Sequence, residues 1–317
     1  MRVAVFCCFL LVSVLGQAQN QNTLSKPYQE SEIILKTTVG DINGTLLLPA
    51  QNQAVPVALL ISGSGPTDRN GNNPAMTNNS LKLLAEELAA NGIATVRYDK
   101  RGIGKSVVPN FQESNLRFET YISDATVWLK MLQKDKRFTK VAVIGHSEGS
   151  LIGLEAAATT QPYAFVSIAG AAQTADSLIL GQVATQPEVV KNEVSTILAQ
   201  LKQGKEVTQF SPYLAPLFRS SVQPYIISWL KYSPQAAIAK IKGKVLIIQG
   251  TTDLQITASQ AKQLAKAKPG AQLLLIDNMN HVLKNVPADQ QANIAAYNNP
   301  SLPLASELAP AIVKFLR

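Results

Sequence analysis

From Val57 onward the chain repeats one pattern: an apolar run of about five residues, a turn rich in Gly, Ser or Asp, then apolar side chains at every third or fourth position. Short strands alternating with amphipathic helices specify βαβ units, because two parallel strands need a crossover and the helix supplies it. The expected strands are Val57–Ile61, Ala94–Tyr98, Val141–Ile144, Phe165–Ile168, Val245–Ile248 and Leu273–Ile276. The first helix puts Leu81, Leu84 and Leu88 on one face and stops at Gly92; the second carries Tyr121, Ala125, Trp128 and Leu132 on one stripe. A third, made of small residues, runs from Ser150 to Ala158. The fold class is therefore α/β, a mainly parallel sheet flanked by helices.

Two regions depart from the alternation. Upstream, residues from Glu32 to Leu48 carry two apolar runs broken near Gly40-Asp41 and again at Asn43-Gly44, which predicts an N-terminal antiparallel hairpin at a sheet edge. Roughly residues 175–240 lack a strand pattern and show a helical stripe of Val190, Val194, Ile197 and Leu201 ended by Gly204. That stretch is expected to be a helical cap inserted in a single domain covering residues 19–317.

The first 18 residues read as an export signal. Arg2 supplies the positive start, Val3 to Leu15 the apolar core, and Gly16-Gln17-Ala18 the small residues of a cleavage site after Ala18. The apolar run is shorter than the roughly 20 residues of a membrane span, so no stable membrane insertion is expected after cleavage, and the protein is expected to be exported, periplasmic or extracellular. Both cysteines, Cys7 and Cys8, fall in that leader. The mature chain then has no disulfide, thiolate metal site or cysteine nucleophile, which suits an oxidising compartment. Its formal charge drops from +8 to +7 when Arg2 is removed. The basic residues are scattered and aromatics are few, which speaks against nucleic-acid binding.

The chemistry-bearing signal is Gly145-His146-Ser147-Glu148-Gly149, set between an apolar strand and the small-residue helix. A serine at such a tight strand-to-helix turn projects its hydroxyl, and flanking glycines relieve the crowding. A serine hydroxyl is a weak nucleophile at neutral pH and needs an imidazole held by a carboxylate. The chain has two histidines. His146 adjoins the serine and is expected to pack away from the attack side, which leaves His281, beyond the strand ending at Ile276, as the base. The acid should follow a strand end between serine and histidine; Asp253 in Gly250-Thr251-Thr252-Asp253 does so, with Asp277 and Asp176 as competitors. Two N–H groups must meet the oxyanion: that of Glu148 and one from Ser62-Gly63-Ser64-Gly65, Ser64 first and Gly65 next.

With these motifs the sequence resembles the α/β-hydrolase superfamily, within it the exported bacterial esterases similar to the serine aminopeptidase and monoacylglycerol-lipase-like group. The resemblance spans nearly the whole mature chain. It is carried by Gly63-Ser64-Gly65-Pro66-Thr67-Asp68-Arg69-Asn70-Gly71-Asn72, by Asp99-Lys100-Arg101-Gly102-Ile103-Gly104-Lys105-Ser106, by the serine turn and by Gly250-Thr251-Thr252-Asp253. It implies a structured loop at the site mouth, in which Asp99 and Arg101 are structural, while Asp68 and Arg69 either pin the oxyanion loop to the cap or form a solvated turn. Many relatives have His-Gly where this chain has Ser62-Gly63, which resembles a Gly-Ser-Gly-Pro subgroup of exported esterases. The expected activity is carboxylester hydrolysis on small to medium acyl esters, a small-molecule substrate, with no metal or organic cofactor implied. Alternatives are an aminopeptidase using Glu188 and Glu193 for the substrate amine, or a noncatalytic binding protein on the same scaffold. Oligomeric state has no readable signal.

Overall fold

In the computed structural model, which describes residues 26–317 other than Val108, eight strands join in one sheet. They are β1 Tyr28–Leu35, β2 Ile42–Pro49, β3 Val55–Ile61, β4 Ala94–Tyr98, β5 Phe138–His146, β6 Ala164–Ile168, β7 Lys244–Gly250 and β8 Gln272–Ile276. Their spatial order is β1-β2-β4-β3-β5-β6-β7-β8. The β1–β2 and β2–β4 pairs are antiparallel and every later pair is parallel. The leader read at residues 1–18 lies outside the described residues.

Helices α1 Ser80–Ala90, α2 Phe118–Lys134 and α3 Glu148–Thr160 follow the early strands. Between β6 and β7 come α4 Ala175–Gln182, α5 Glu188–Lys202, α6 Ala215–Phe218, α7 Gln223–Trp229 and α8 Pro234–Ala239. The chain ends with α9 Ala258–Ala267, α10 Gln290–Ala295 and α11 Leu308–Leu316.

The sheet is covered on both faces, so its central strands are apolar throughout. Val57, Leu59 and Ile61 join Val143, Trp128, Leu132 and Leu154 in one core, under α2 and α3. The even-numbered residues between them, Ala58 and Leu60, face the other way and pack with Ile144, Leu84, Leu88, Leu308 and Ile312 under α1 and α11. Each fully buried Leu or Ile contributes about 1.5–3 kcal/mol. The segment between β6 and β7 builds a third cluster of its own from Val194, Ile197, Leu201, Phe218 and Ile226.

The hairpin is present, but its second expected break is not. β2 runs unbroken through Asn43 and Gly44, which pair with Ile34 and Ile33 on β1, and Gly44 also pairs with Tyr98 on β4. The strand is hydrogen-bonded on both sides, and two ladders outweigh the local turn preference of an Asn-Gly pair. The turn lies only between Leu35 and Ile42.

Candidate active site

β5 ends at His146 and α3 begins at Glu148, so Ser147 alone makes the turn, at φ 54° and ψ −123°. That backbone region is costly for a residue with a Cβ and persists only when the surroundings over-determine it. Here the Ser147 N–H donates to the Ile168 carbonyl and the Ser147 carbonyl accepts from the Ser150 N–H, both at 2.9 Å. A Cβ at position 145 would come within 2.4 Å of the Gly149 carbonyl oxygen, and one at 149 within 2.3 Å of the Ile61 carbonyl oxygen. Glycine on both flanks is thus required by close backbone approach.

The Asp253 carboxylate leaves the end of β7 and meets His281, whose Nδ1 lies 2.9 Å from Asp253 Oδ2. The carboxylate is held from four sides. Its Oδ1 accepts from the N–H groups of Gln255 and Ile256 at 2.8 and 2.9 Å, and Oδ2 accepts also from Gln249 Nε2 at 2.9 Å. Burial raises the Asp253 carboxyl, but the His281 charge and hydrogen bond, with those two N–H groups, outweigh it and hold the carboxyl below its ordinary value. An ionised Asp253 places the His281 proton on Nδ1 and leaves Nε2 free to accept. Of the competing acids, Asp176 is engaged by Thr174 and Lys202, and Asp277 is exposed.

His146 is buried as expected. Its role was not legible in the sequence: Nε2 lies 2.8 Å from the His281 carbonyl oxygen, and because a carbonyl only accepts, that nitrogen carries the proton. Ser147 and His281 are thereby brought to the same rim of the sheet, although the hydrogen bond that fixes the His281 ring in this conformation is the one to Asp253. Gln249 was missed as well. Its only sequence signal is a polar residue at the end of an apolar strand, four positions before the acid.

Above Ser147 lies a cavity of about 310 Å³ lined mainly by apolar side chains. Ser64, Gly65, Ser147 and Glu148 form its floor, while Ile179, Leu217, Val222, Ile226 and Trp229 from α4, α6 and α7 and their connection form a wall. Among the described residues, the N–H groups of Ser64 and Glu148 find no backbone acceptor. The loop bearing Ser64 is closed on itself, since Ser62 Oγ donates to the Thr67 carbonyl and Thr67 Oγ1 to the Ser64 carbonyl.

The neighbouring polar residues are structural braces. Asp99 accepts from the Arg69 N–H and guanidinium and from the Lys105 N–H, at 2.8 to 2.9 Å. Arg101 forms a buried pair with Asp124 at 2.6 Å. Neither Asp99 nor Arg101 lines the cavity. Arg69 neither reaches the helical segment nor lies in solvent; it is buried against Asp99 and Thr45, tying the loop that follows β3 to the sheet. Asp68 accepts from the N–H groups of Asn70 and Asn72 and shapes the turn locally.

Known proteins resemble this chain in sequence and in fold. Residues 76–220 match the family model described as serine aminopeptidase, S33. Esterase EstD of Thermotoga maritima is 25% identical over 270 residues, which cover 81% of this chain and 60% of that protein. The chain thus spans about 60% of the length of that curated relative. Among solved structures, Est1E from Butyrivibrio proteoclasticus superposes with a TM-score of 0.58 at 16% identity, covering 90% of this chain and 97% of that one. A hypothetical protein from Pseudomonas aeruginosa superposes with a TM-score of 0.62 at 15% identity, covering 92% and 94%. At such identities the structures establish the fold alone. Sheet order, serine turn and solved neighbours give the chain the α/β-hydrolase fold, and its sequence is similar to a serine aminopeptidase family model and to an esterase.

Proposed function

We propose that the protein is a carboxylic-ester hydrolase that acts on small to medium acyl esters through an acyl-enzyme at Ser147. The observation that carries this reading is the 2.9 Å contact between Asp253 and His281, set beside the strained Ser147 turn under a mainly apolar cavity. Ser147 Oγ attacks the ester carbonyl carbon and passes its proton to His281 Nε2. The tetrahedral oxyanion is met by the N–H groups of Glu148 and Ser64; its collapse breaks the ester C–O bond, and His281 returns the proton to the departing alkoxide. Water then gives its proton to His281 and attacks the acyl carbon, and collapse releases the acid and restores the Ser147 hydroxyl. The helical segment over the cavity serves as the cap that shapes the acyl pocket.

Removal of N-terminal residues from peptides is supported less well. Glu188 is paired with Lys191 at 2.7 Å, Glu193 accepts from the Ser211 N–H and the Tyr213 hydroxyl, and neither lines the cavity. Glu148, the carboxylate that does, faces the Lys100 ammonium and is not free for a substrate amine. Turnover of p-nitrophenyl acetate and butyrate against amino-acid p-nitroanilides tests the ranking, and faster anilide cleavage reverses it. A fluorophosphonate that leaves Ser147 unlabelled in folded protein would favour a noncatalytic binding role instead.

The leader pattern of residues 1–18 supports export of the mature protein. N-terminal sequencing that begins at Gln19 in the exported fraction agrees with this, and retention of Met1 in that fraction rejects cleavage.

A further inference from the structure

Lys100 is fully buried just after β4, an unfavourable place for an ammonium unless its charge is used. Its Nζ donates to the Gly63 carbonyl at 2.5 Å, lies 3.7 Å from Glu148 Oε1 and sits 5.1 Å from the centre of the Tyr121 ring. Lys100 itself does not line the cavity, whereas Ser64 and Glu148 do.

The carbonyl that Lys100 holds belongs to the peptide unit whose other end is the Ser64 N–H. That unit is planar and trans, so its C=O and N–H point in opposite directions. With the carbonyl turned toward Lys100, away from the cavity, the N–H is turned the other way. Gly63 is also the residue pressed against the nucleophile, since a Cβ there would lie 3.2 Å from Ser147 Cβ. Glycines at 63 and 65 leave this peptide little intrinsic preference, and a flip would present a carbonyl oxygen where an oxyanion must be bound. A charge-assisted hydrogen bond to the carbonyl opposes the flip and polarises the same peptide, strengthening its N–H as a donor. Glu148 closes the arrangement: its side chain faces the ammonium while its own N–H is the other oxyanion donor.

We propose that Lys100 is a positioning residue for the oxyanion hole, locking the Gly63–Ser64 peptide with the Ser64 N–H toward the reacting carbonyl, and that Glu148 keeps the ammonium in place. The inference rests on the acyl-enzyme reading of Ser147.

The test compares Glu148→Gln with the double variant K100M/E148Q, so that the two proteins differ only at Lys100 and removal of the ammonium leaves no buried carboxylate unpaired. On p-nitrophenyl butyrate the double variant is expected to show kcat about 100-fold below E148Q with KM within about threefold, as for loss of one oxyanion donor. A Lys100 that only fills space would lower the unfolding midpoint and leave kcat within about threefold of E148Q, and that result overturns the proposal. A crystal structure of the wild-type protein with a phosphonate on Ser147 decides independently of how the variants fold. The phosphonyl oxygen is expected within hydrogen-bonding distance of the Ser64 and Glu148 nitrogens with Lys100 on the Gly63 carbonyl; an oxygen bound by Gly65 instead of Ser64 overturns the proposal. Absence of fluorophosphonate labelling at wild-type Ser147 removes the hydrolase reading and this inference with it, whereas labelling with unchanged kcat in the double variant removes the role of Lys100 alone.

Discussion

His146 donates its Nε2–H to the backbone carbonyl of His281 at 2.8 Å, with the two rings 4.9 Å apart and inclined at 48°. The residue preceding Ser147 therefore grips the loop that carries His281. Any shift of that loop would be felt at Ser147 through a single peptide bond.

The burial of His146 makes stability depend on pH. Burial, reinforced by the neighbouring His281, pushes the His146 ring down from 6.5 to about 4. Unfolded chains take up the proton below pH 6.5, and folded chains stay neutral until about pH 4. The stabilisation is complete above pH 6.5 and is lost as pH falls through this window, by about 3 kcal/mol. Urea unfolding at steps from pH 7 to pH 4 measures the loss, and His146→Phe is expected to flatten it. A variant with the wild-type slope would assign the loss to other groups.

Ser147 combines a strained backbone with the proposed nucleophile, so stability and activity should separate there. Ser147→Ala is expected to lower kcat by at least ~10⁴-fold with the fold intact. Ser147→Gly should be as inactive yet more stable than the alanine variant by about 1 kcal/mol, because glycine tolerates φ 54°. Thermal unfolding of the pair checks this; equal midpoints would mean that the turn is not strained.

Gln249 is fully buried and donates to Asp253 and to the Ile256 carbonyl. Gln249→Leu is expected to cost about 1–3 kcal/mol by leaving the Ile256 carbonyl unpaired. It should also lower kcat about tenfold, equivalent to about 1.4 kcal/mol of lost positioning. Asp253→Asn, which disturbs the His281 tautomer itself, should fall by about 10⁴-fold. Steady-state kinetics with urea titration distinguishes the two, and an unchanged kcat in Gln249→Leu would show that the remaining donors hold Asp253 unaided.

Asp99→Ala should act on stability first. It strips the buried Arg69 guanidinium of its carboxylate and frees both the Arg69 and Lys105 N–H groups, at a cost of about 3–5 kcal/mol. Chemical denaturation reads this directly. A loss below about 1 kcal/mol, the size found for exposed pairs, would contradict the buried brace.

The alternation of strands and helices was legible because it is a local code: period two with both faces apolar at Val57–Ile61, and one apolar stripe at Leu81, Leu84 and Leu88. The turn at Ser147 was legible for the same reason, since close backbone approach at Gly145 and Gly149 admits no side chain. With two histidines in the chain, His281 and then Asp253 followed from what a serine nucleophile needs. What the sequence could not show were pairings between distant residues. Asn43-Gly44 looked like a turn until two neighbouring strands claimed its backbone. Gln249 on Asp253, His146 on the His281 carbonyl, Arg69 on Asp99 and Lys100 on the Gly63 carbonyl leave no periodicity or spacing to read. A buried polar group takes whatever partner the packed chain brings within about 3 Å, and that choice is made only when strands distant in sequence come to lie side by side.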